Sequence, residues 1–350
     1  MKTARLHEYK KPLVLEDVPV PDIQADEVLV AVKACGMCRS DVLLVDGFFN
    51  AYSDIPRPIT PGHEITGVVH RAGSLVSKSA IREGDHVVVA PGWGDGTCRH
   101  CLVGNTQICA NVRWPGFGAY GGFAEFIPVP ARYVIKVDKR LKFEEIAPLT
   151  DAGLTPYRAI KKLRNAGVLG PDRVIGVFGI GGLGTYAVQY AKLLGSGARV
   201  VAFARNPEKL ALAKEYGADD VINIKRKSVG DIAGELKALT GQGDIDAAVD
   251  CAGAQETVGL ATGLLAISGY YVDVGFISDR IDIPLFPRVS REQTIQGSFW
   301  GNNTDLAEVM ALAAKNKIRH TIETFPFEQI NSFLDRLRED EIVGRSVLTF

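Results

Sequence analysis

Net charge is almost absent from this chain: 40 Lys and Arg face 41 Asp and Glu, leaving -1 over 350 residues. A surface so balanced gives nucleic acid and anionic membranes no electrostatic reason to bind. Long apolar runs are absent too, none approaching the ~20 residues that span a bilayer. No secretory leader is expected, because Met1-Lys2-Thr3-Ala4-Arg5 meets the charged His7-Glu8-Tyr9-Lys10-Lys11 where an apolar region belongs. The expected location is therefore cytoplasmic. Internal repeats, low-complexity tracts and long charge runs are missing as well.

What is present is ordinary globular composition, 46% hydrophobic and 23% charged, which excludes disorder and fibres. A chain of 350 residues is long for one core, so two domains are expected. The six cysteines are few but bunched. Cys35 and Cys38 lie together, Cys98, Cys101 and Cys109 form a cluster, and Cys251 stands alone. In a reducing compartment such thiols are free or metal-bound rather than paired as disulfides.

To about residue 150 the chain shows short alternating stretches broken by Gly and Pro, such as Val28 to Val32 and His86 to Val89. That pattern suits a β-rich, barrel-like domain. Beyond Leu149, apolar strands alternate with helix-period segments: Val174 to Phe178, Tyr186 to Leu194, Val200 to Phe203, Glu208 to Tyr216. Strands Ala247 to Asp250 and Tyr270 to Val274 follow, and a parallel, doubly wound sheet is implied. A helix near Leu306 to Ala314 and a short strand Ser346 to Leu348 return the chain to the first domain.

Gly179-Ile180-Gly181-Gly182-Leu183-Gly184 follows the strand Val174 to Phe178 and opens a helix. In that context the glycines give a tight turn, close approach of backbone to a pyrophosphate, and close packing of helix on strand. The helix start adds N–H donors and a positive dipole end. About 20 residues later, NAD-preferring domains carry an acid that binds the ribose hydroxyls. This chain has Ala204 there, then Arg205 and Asn206. With no carboxylate to repel a 2′-phosphate and a guanidinium to pair with it, NADP(H) is expected. The alternative is a solvated Arg205 in an enzyme that takes NAD(H) as well.

Asp95, Cys98, Cys101 and Cys109 fall in one loop at knuckle spacing, a donor set for a closed structural zinc site. Asp95 is either the fourth ligand or a cap on the turn. A second set is dispersed: Cys38, the turn Pro61-Gly62-His63-Glu64, and Asp151. Spacing alone does not connect these residues.

Taken together, Cys38-Arg39-Ser40-Asp41, Gly62-His63-Glu64, the Cys98 to Cys109 knuckle, Thr150 to Thr155, the glycine turn and Gly344-Arg345 resemble the zinc-dependent medium-chain alcohol dehydrogenase family over essentially the whole length. The resemblance implies that Cys38, His63 and Asp151 hold a catalytic zinc, with Asp151 where many relatives have cysteine. It gives Glu64 a place beside the metal and Asp41 the task of fixing the His63 imidazole. Ser40 matches the hydroxyl that takes the substrate proton, while Leu43 stands where many relatives complete the relay with histidine. Arg39 and Arg345 match pyrophosphate-contacting positions, Thr155 one near the nicotinamide carboxamide, and Trp93 and Trp300 walls of the substrate cleft.

The fold class implied is α/β: a GroES-like β-rich catalytic domain formed by residues 1–151 and 289–350, with a Rossmann domain over 152–288. The activity implied is reversible oxidation of a primary or secondary, apolar or aromatic alcohol, with two zinc ions and NADP(H), in a homodimer or homotetramer. Three rivals are weaker. A zinc-free quinone or enone reductase would lack the metal ligands, and a non-catalytic dinucleotide-binding protein would not need Ser40. A polyol dehydrogenase would want a more polar pocket.

Overall fold

The segment Glu27 to Met37 is mostly apolar, with valine at 28, 30 and 32, and it forms the longest strand of a sheet that buries most of it. A computed structural model describes residues 1–350, and the chain divides into two units: Met1–Leu154 with Trp300–Phe350, and Thr155–Phe299.

In the first unit β1 (Lys2–Arg5) and β2 (Val14–Asp17) pair antiparallel. A seven-stranded sheet is built from β3 (Glu27–Met37), β4 (Glu64–Ala72), β5 (His86–Val89), β6 (Phe126–Pro130), β7 (Val134–Lys136), β14 (Ile322–Pro326) and β15 (Arg345–Thr349). Its order is β14-β15-β3-β4-β5-β7, with β6 also paired to β3. The register places chemistry at one end of β3. Gly36 pairs with Glu64, the first residue of β4, and Met37 pairs with Ser346, the second of β15. Cys38, His63, Glu64 and Arg345, remote in sequence, are therefore neighbours by strand pairing.

The second unit contains β8 (Val174–Phe178), β9 (Arg199–Ala204), β10 (Asp220–Asn223), β11 (Ile245–Asp250), β12 (Leu265–Asp273) and β13 (Thr294–Gly297). They form one parallel sheet in the order β10-β9-β8-β11-β12-β13. The chain runs outward from β8 to β10, then restarts at β11 on the other side of β8. That reversal opens a crevice at the carboxyl ends of β8 and β11, where doubly wound sheets receive ligands. Both strands are wholly buried, which explains the continuous apolar sequence of β8; in β11, buried Asp246 and Asp250 accept hydrogen bonds, from Val174 N and from Ala252 N and Gly253 N.

The boundaries differ from the sequence expectation at the return. Residues 289–299, expected in the first domain, belong to the second unit. The reason is β13, whose register with β12 from Tyr270↔Thr294 to Asp273↔Gly297 adds a sixth strand to the parallel sheet. No helix is long and apolar enough to cross a membrane.

Candidate active site and metal centres

Cys38 leaves the end of β3 as the N-cap of the helix Arg39–Val45. The capping residue keeps extended backbone, φ -113 and ψ 157, which turns its thiol off the helix axis. His63 ends the turn before β4, after Gly62 at φ +90, and a side chain on Gly62 would strike Phe123 and the Cys35 sulfur. Asp151 follows the 3-10 turn Pro148–Thr150. One ligand atom each from Cys38, His63, Glu64 and Asp151 lies within 4.8 Å of all the others, and all four residues are buried. The dispersed set is thus one cluster.

Asp41 organises it. Its carboxylate accepts from Cys38 N at 2.8 Å and Gly62 N at 3.1 Å, and its Oδ1 lies 3.4 Å from His63 Nδ1. That last approach is ionic rather than an aligned hydrogen bond, since Nδ1 has no hydrogen-bond acceptor. With Nδ1 turned to Asp41, Nε2 faces the cluster, 3.2 Å from Asp151 Oδ2 and 3.3 Å from Ser40 Oγ. Burial opposes a charged imidazole, yet Asp41, Asp151 and Cys38 together raise the His63 pKa well above its usual value. Burial likewise pushes the Cys38 thiol up. A buried group of donors this short of positive charge fits a divalent cation, and sulfur, imidazole and carboxylate are ligands suited to zinc.

Glu64 is bound on one side only. Its Oε1 accepts from Arg345 Nη2 at 2.5 Å and from Ala152 N at 3.2 Å, while buried Oε2 has no partner. Burial pushes this carboxyl up to about 7, with the Arg345 guanidinium opposing. Arg345 is itself buried, at 5% exposure, so the structure ties it to Glu64 where the sequence suggested a pyrophosphate partner. Arg39 also finds a different partner. Its Nη1 donates to the carbonyls of Leu337 and Arg338 at 2.8 and 3.1 Å, a cation on the C-terminal end of the helix Ile330–Arg338.

Around His63 stand Phe117 and Trp300, their ring centroids 5.7 and 6.0 Å away. Trp114 packs edge-on against Trp300 at 5.9 Å, and Phe49 against Phe117 at 5.2 Å. Trp114 was not singled out in the sequence, where nothing but its aromatic character marks it. Trp93, also buried, has its own partners: its Nε1 donates to Ala90 O at 2.8 Å and its ring lies beneath the Arg113 guanidinium.

The second donor set is also assembled. Asp95, Cys98, Cys101 and Cys109 bring one ligand atom each within 4.8 Å of the rest. Asp95 does cap the turn, accepting from Thr97 N at 2.8 Å and Cys98 N at 3.2 Å through Oδ1, and from Asn111 at 2.8 Å through Oδ2. These bonds hold its carboxyl well below the usual range. Asp95 is therefore a cap, and one of its oxygens lies within 4.8 Å of the three sulfurs. Gly94 is required there, because a Cβ would lie 2.6 Å from the Cys101 sulfur. Arg132 and Tyr133 anchor the loop by donating to Gly94 O at 3.0 and 2.7 Å.

In the second unit the glycine turn links β8 to the helix Gly184–Leu194. Gly179 has φ +78, and a Cβ on it would meet Ala252 at 2.8 Å. A Cβ on Gly184 would lie 2.2 Å from the Gly179 carbonyl. Around Gly181, by contrast, nothing lies within 4 Å of that point. One glycine makes the turn, one packs helix on strand, and one leaves open space beside the backbone. Gly182 and Leu183 complete the turn, and no side chain caps the helix; Thr185, Tyr186 and Ala187 donate to the Gly181 and Leu183 carbonyls, which leaves the N–H groups of Gly182, Leu183 and Gly184 for a phosphate. Thr155 opens the unit, buried in the first turn of the helix Leu154–Asn165.

At the end of β9, Ala204 is buried and Arg205 projects into solvent. Asn206 proves to be the N-cap of the helix Pro207–Glu215, accepting from Glu208 N at 2.7 Å. Two residues missed in the sequence hold Arg205: Asn223 donates to its carbonyl at 3.2 Å, and Glu256 approaches its guanidinium at 3.5 Å. Neither carries a local signal, because Asn223 ends β10 and Glu256 lies in the first turn of the helix Gln255–Leu264, both remote in sequence from Arg205.

Residues 24–139 match the family described as alcohol dehydrogenase GroES-like domain, and 182–315 that described as zinc-binding dehydrogenase. An alcohol dehydrogenase of Geobacillus stearothermophilus is 37% identical over 353 residues, 99% of each chain. An NAD-dependent alcohol dehydrogenase of Sulfurisphaera tokodaii is 35% identical over 356 residues, again 99% of each. The crystal structure of an alcohol dehydrogenase from Aeropyrum pernix superposes with TM-score 0.92 at 36% identity, covering both chains completely. By sequence, fold and donor sets together, the chain belongs to the zinc-type medium-chain alcohol dehydrogenase family, oxidoreductases that pair zinc with a nicotinamide cofactor.

Proposed function

We propose that this enzyme reversibly oxidises primary or secondary alcohols of apolar or aromatic character, with NADP(H) as its preferred cofactor. The observation that carries the reading is the convergence of Cys38, His63 and Asp151, a thiol, an imidazole and a carboxylate sharing one buried point. Those three residues would hold a catalytic zinc, and Asp95, Cys98, Cys101 and Cys109 a structural one. A zinc ion there supplies Lewis acidity that makes a hydroxyl a far stronger acid, as it brings bound water toward pKa ~7. The nicotinamide supplies the hydride acceptor or donor.

The chain's own residues do the rest. Ser40 Oγ exchanges the substrate hydroxyl proton, from a position 3.3 Å from His63 Nε2. Asp41 keeps the imidazole turned so that Nε2 faces the cluster, the usual task of an outer carboxylate on a ligating histidine. Glu64, with one partnered and one unpartnered oxygen, is the carboxylate poised beside the metal ligands. Half-buried Leu43 cannot carry a proton, so the relay from Ser40 does not run through that side chain; a bound cofactor would supply a ribose hydroxyl in its stead. Phe117, Trp300, Trp114 and Phe49 give the site an aromatic wall, which favours apolar and aromatic substrates over sugars.

Arg205 and the missing acid at Ala204 support NADP(H). A specific observation favours a second reading, dual use of NAD(H): the Glu256 carboxylate lies 3.5 Å from that arginine, and the Sulfurisphaera relative is named for NAD. We also propose a homodimer or homotetramer, supported by exposed Leu285, Phe286, Val289 and Ile295 in and just before the edge strand β13. The reading is tested by NADPH and NADH consumption across a panel of aldehydes, ketones and polyol-derived ketoses. Turnover of aryl and alkyl carbonyls, faster with NADPH, is expected. Turnover confined to ketoses would contradict it.

A further inference from the structure

Arg205 stands just beyond β9, and Glu256 lies in the first turn of the helix Gln255–Leu264 that follows β11. Between those two strands runs β8, which ends in the glycine turn. Strands about 4.8 Å apart set β9 and β11 about 10 Å from each other. The Arg205 Nη1 to Glu256 Oε2 pair, at 3.5 Å, therefore crosses over the carboxyl end of β8. It spans the mouth of the crevice in which a dinucleotide must lie. Both side chains are largely in solvent, at 70% and 45% exposure, so the strap is weak and can open.

The backbone under Arg205 is fixed while its side chain is not. Asn223 Nδ2 holds the Arg205 carbonyl at 3.2 Å, and Asn206 caps the next helix. On the other side, a carboxylate in a first helical turn is favoured by the helix dipole, which holds Glu256 in place. A bound phosphate monoester offers Arg205 a doubly charged, bidentate partner, and it also meets the Glu256 carboxylate at close range. A ribose hydroxyl offers neither the attraction nor the repulsion.

We infer that Glu256 is a specificity-determining residue: it competes with the cofactor's 2′-phosphate for Arg205 and so sets the ratio of NADP(H) to NAD(H) use. The inference rests on the proposed role of Arg205 as the 2′-phosphate partner. Loss of so exposed a competitor changes affinity by a factor of up to about five. Glu256→Gln keeps the size and removes the charge.

The test is titration of the complete enzyme with adenosine 2′,5′-bisphosphate, 5′-AMP, NADPH and NADH at fixed ionic strength. Wild type, Glu256→Gln, Arg205→Ala and the double variant are compared. Glu256→Gln is expected to tighten the bisphosphate and NADPH by up to about five-fold and leave 5′-AMP and NADH unchanged. The gain should vanish when Arg205 is also replaced. Equal tightening of all four ligands, no tightening of any, or a gain that persists without Arg205 overturns the inference. The underlying reading fails separately, if Arg205→Ala alone weakens the phosphorylated and unphosphorylated ligands alike.

Discussion

A methyl group placed on Gly36 would lie 1.8 Å from Glu64 Oε2. The two residues are register partners on β3 and β4, and the missing side chain on one strand is the space occupied by the carboxylate on the other. Gly36→Ala must therefore move Glu64 off its bonds to Arg345 and Ala152. Displacing a carboxylate that supports a metal site costs about ten- to hundred-fold in metal affinity or activity. We expect that loss in kcat, read beside zinc content. Wild-type kcat and zinc in Gly36→Ala would show that the position of Glu64 is irrelevant.

Asp41 receives two backbone N–H groups and faces the His63 ring, so three contacts fail together when it is removed. Asp41→Ala should weaken zinc binding about ten- to hundred-fold, read by competition with a chelator. Unchanged zinc affinity would reduce Asp41 to a helix cap.

The glycine turn separates folding from binding. Gly181→Val places a side chain in open space, so the melting temperature should hold while dinucleotide affinity falls. Gly184→Val drives a side chain into the Gly179 carbonyl and should destabilise the fold itself. Thermal unfolding and cofactor titration of the two variants check the contrast, and identical behaviour would remove the assignment of roles.

Much of this was legible in the sequence because the signals are local. The glycine turn, the knuckle and the strand–helix alternation each lie within one short segment. The metal cluster was not legible from spacing, since Cys38, His63 and Asp151 meet only through the pairing of β3 with β4 and the turn before Asp151. Only family resemblance joined them. The protein partners of the two arginines were not legible for the same reason. Charge is visible in a sequence but direction is not, and Arg39 and Arg345 find partners on a helix end and on Glu64. The return to the first domain was set early because β13, four residues with alternating burial, is too short to announce a strand.

The knuckle is a structural device rather than a catalytic one. Its loop is anchored by Arg132 and Tyr133, and exposed Leu102 and Val103 show how little core it owns. Cys98→Ala should lower the melting temperature, by about 2–4 °C for each kcal/mol lost, before it changes kcat at low temperature. A fall in kcat without loss of stability would give this loop a catalytic part.

The central claim is that Cys38, His63 and Asp151 hold one catalytic zinc. It is tested most directly by measuring zinc per chain in wild type, Cys38→Ser, His63→Ala and Asp151→Ala, with cofactor binding followed in the same samples. Wild type should carry about two zinc ions per chain, and each variant about one, with alcohol turnover lost and cofactor binding kept. Full zinc content in all three variants, or turnover by a wild-type enzyme stripped of zinc, would contradict the account.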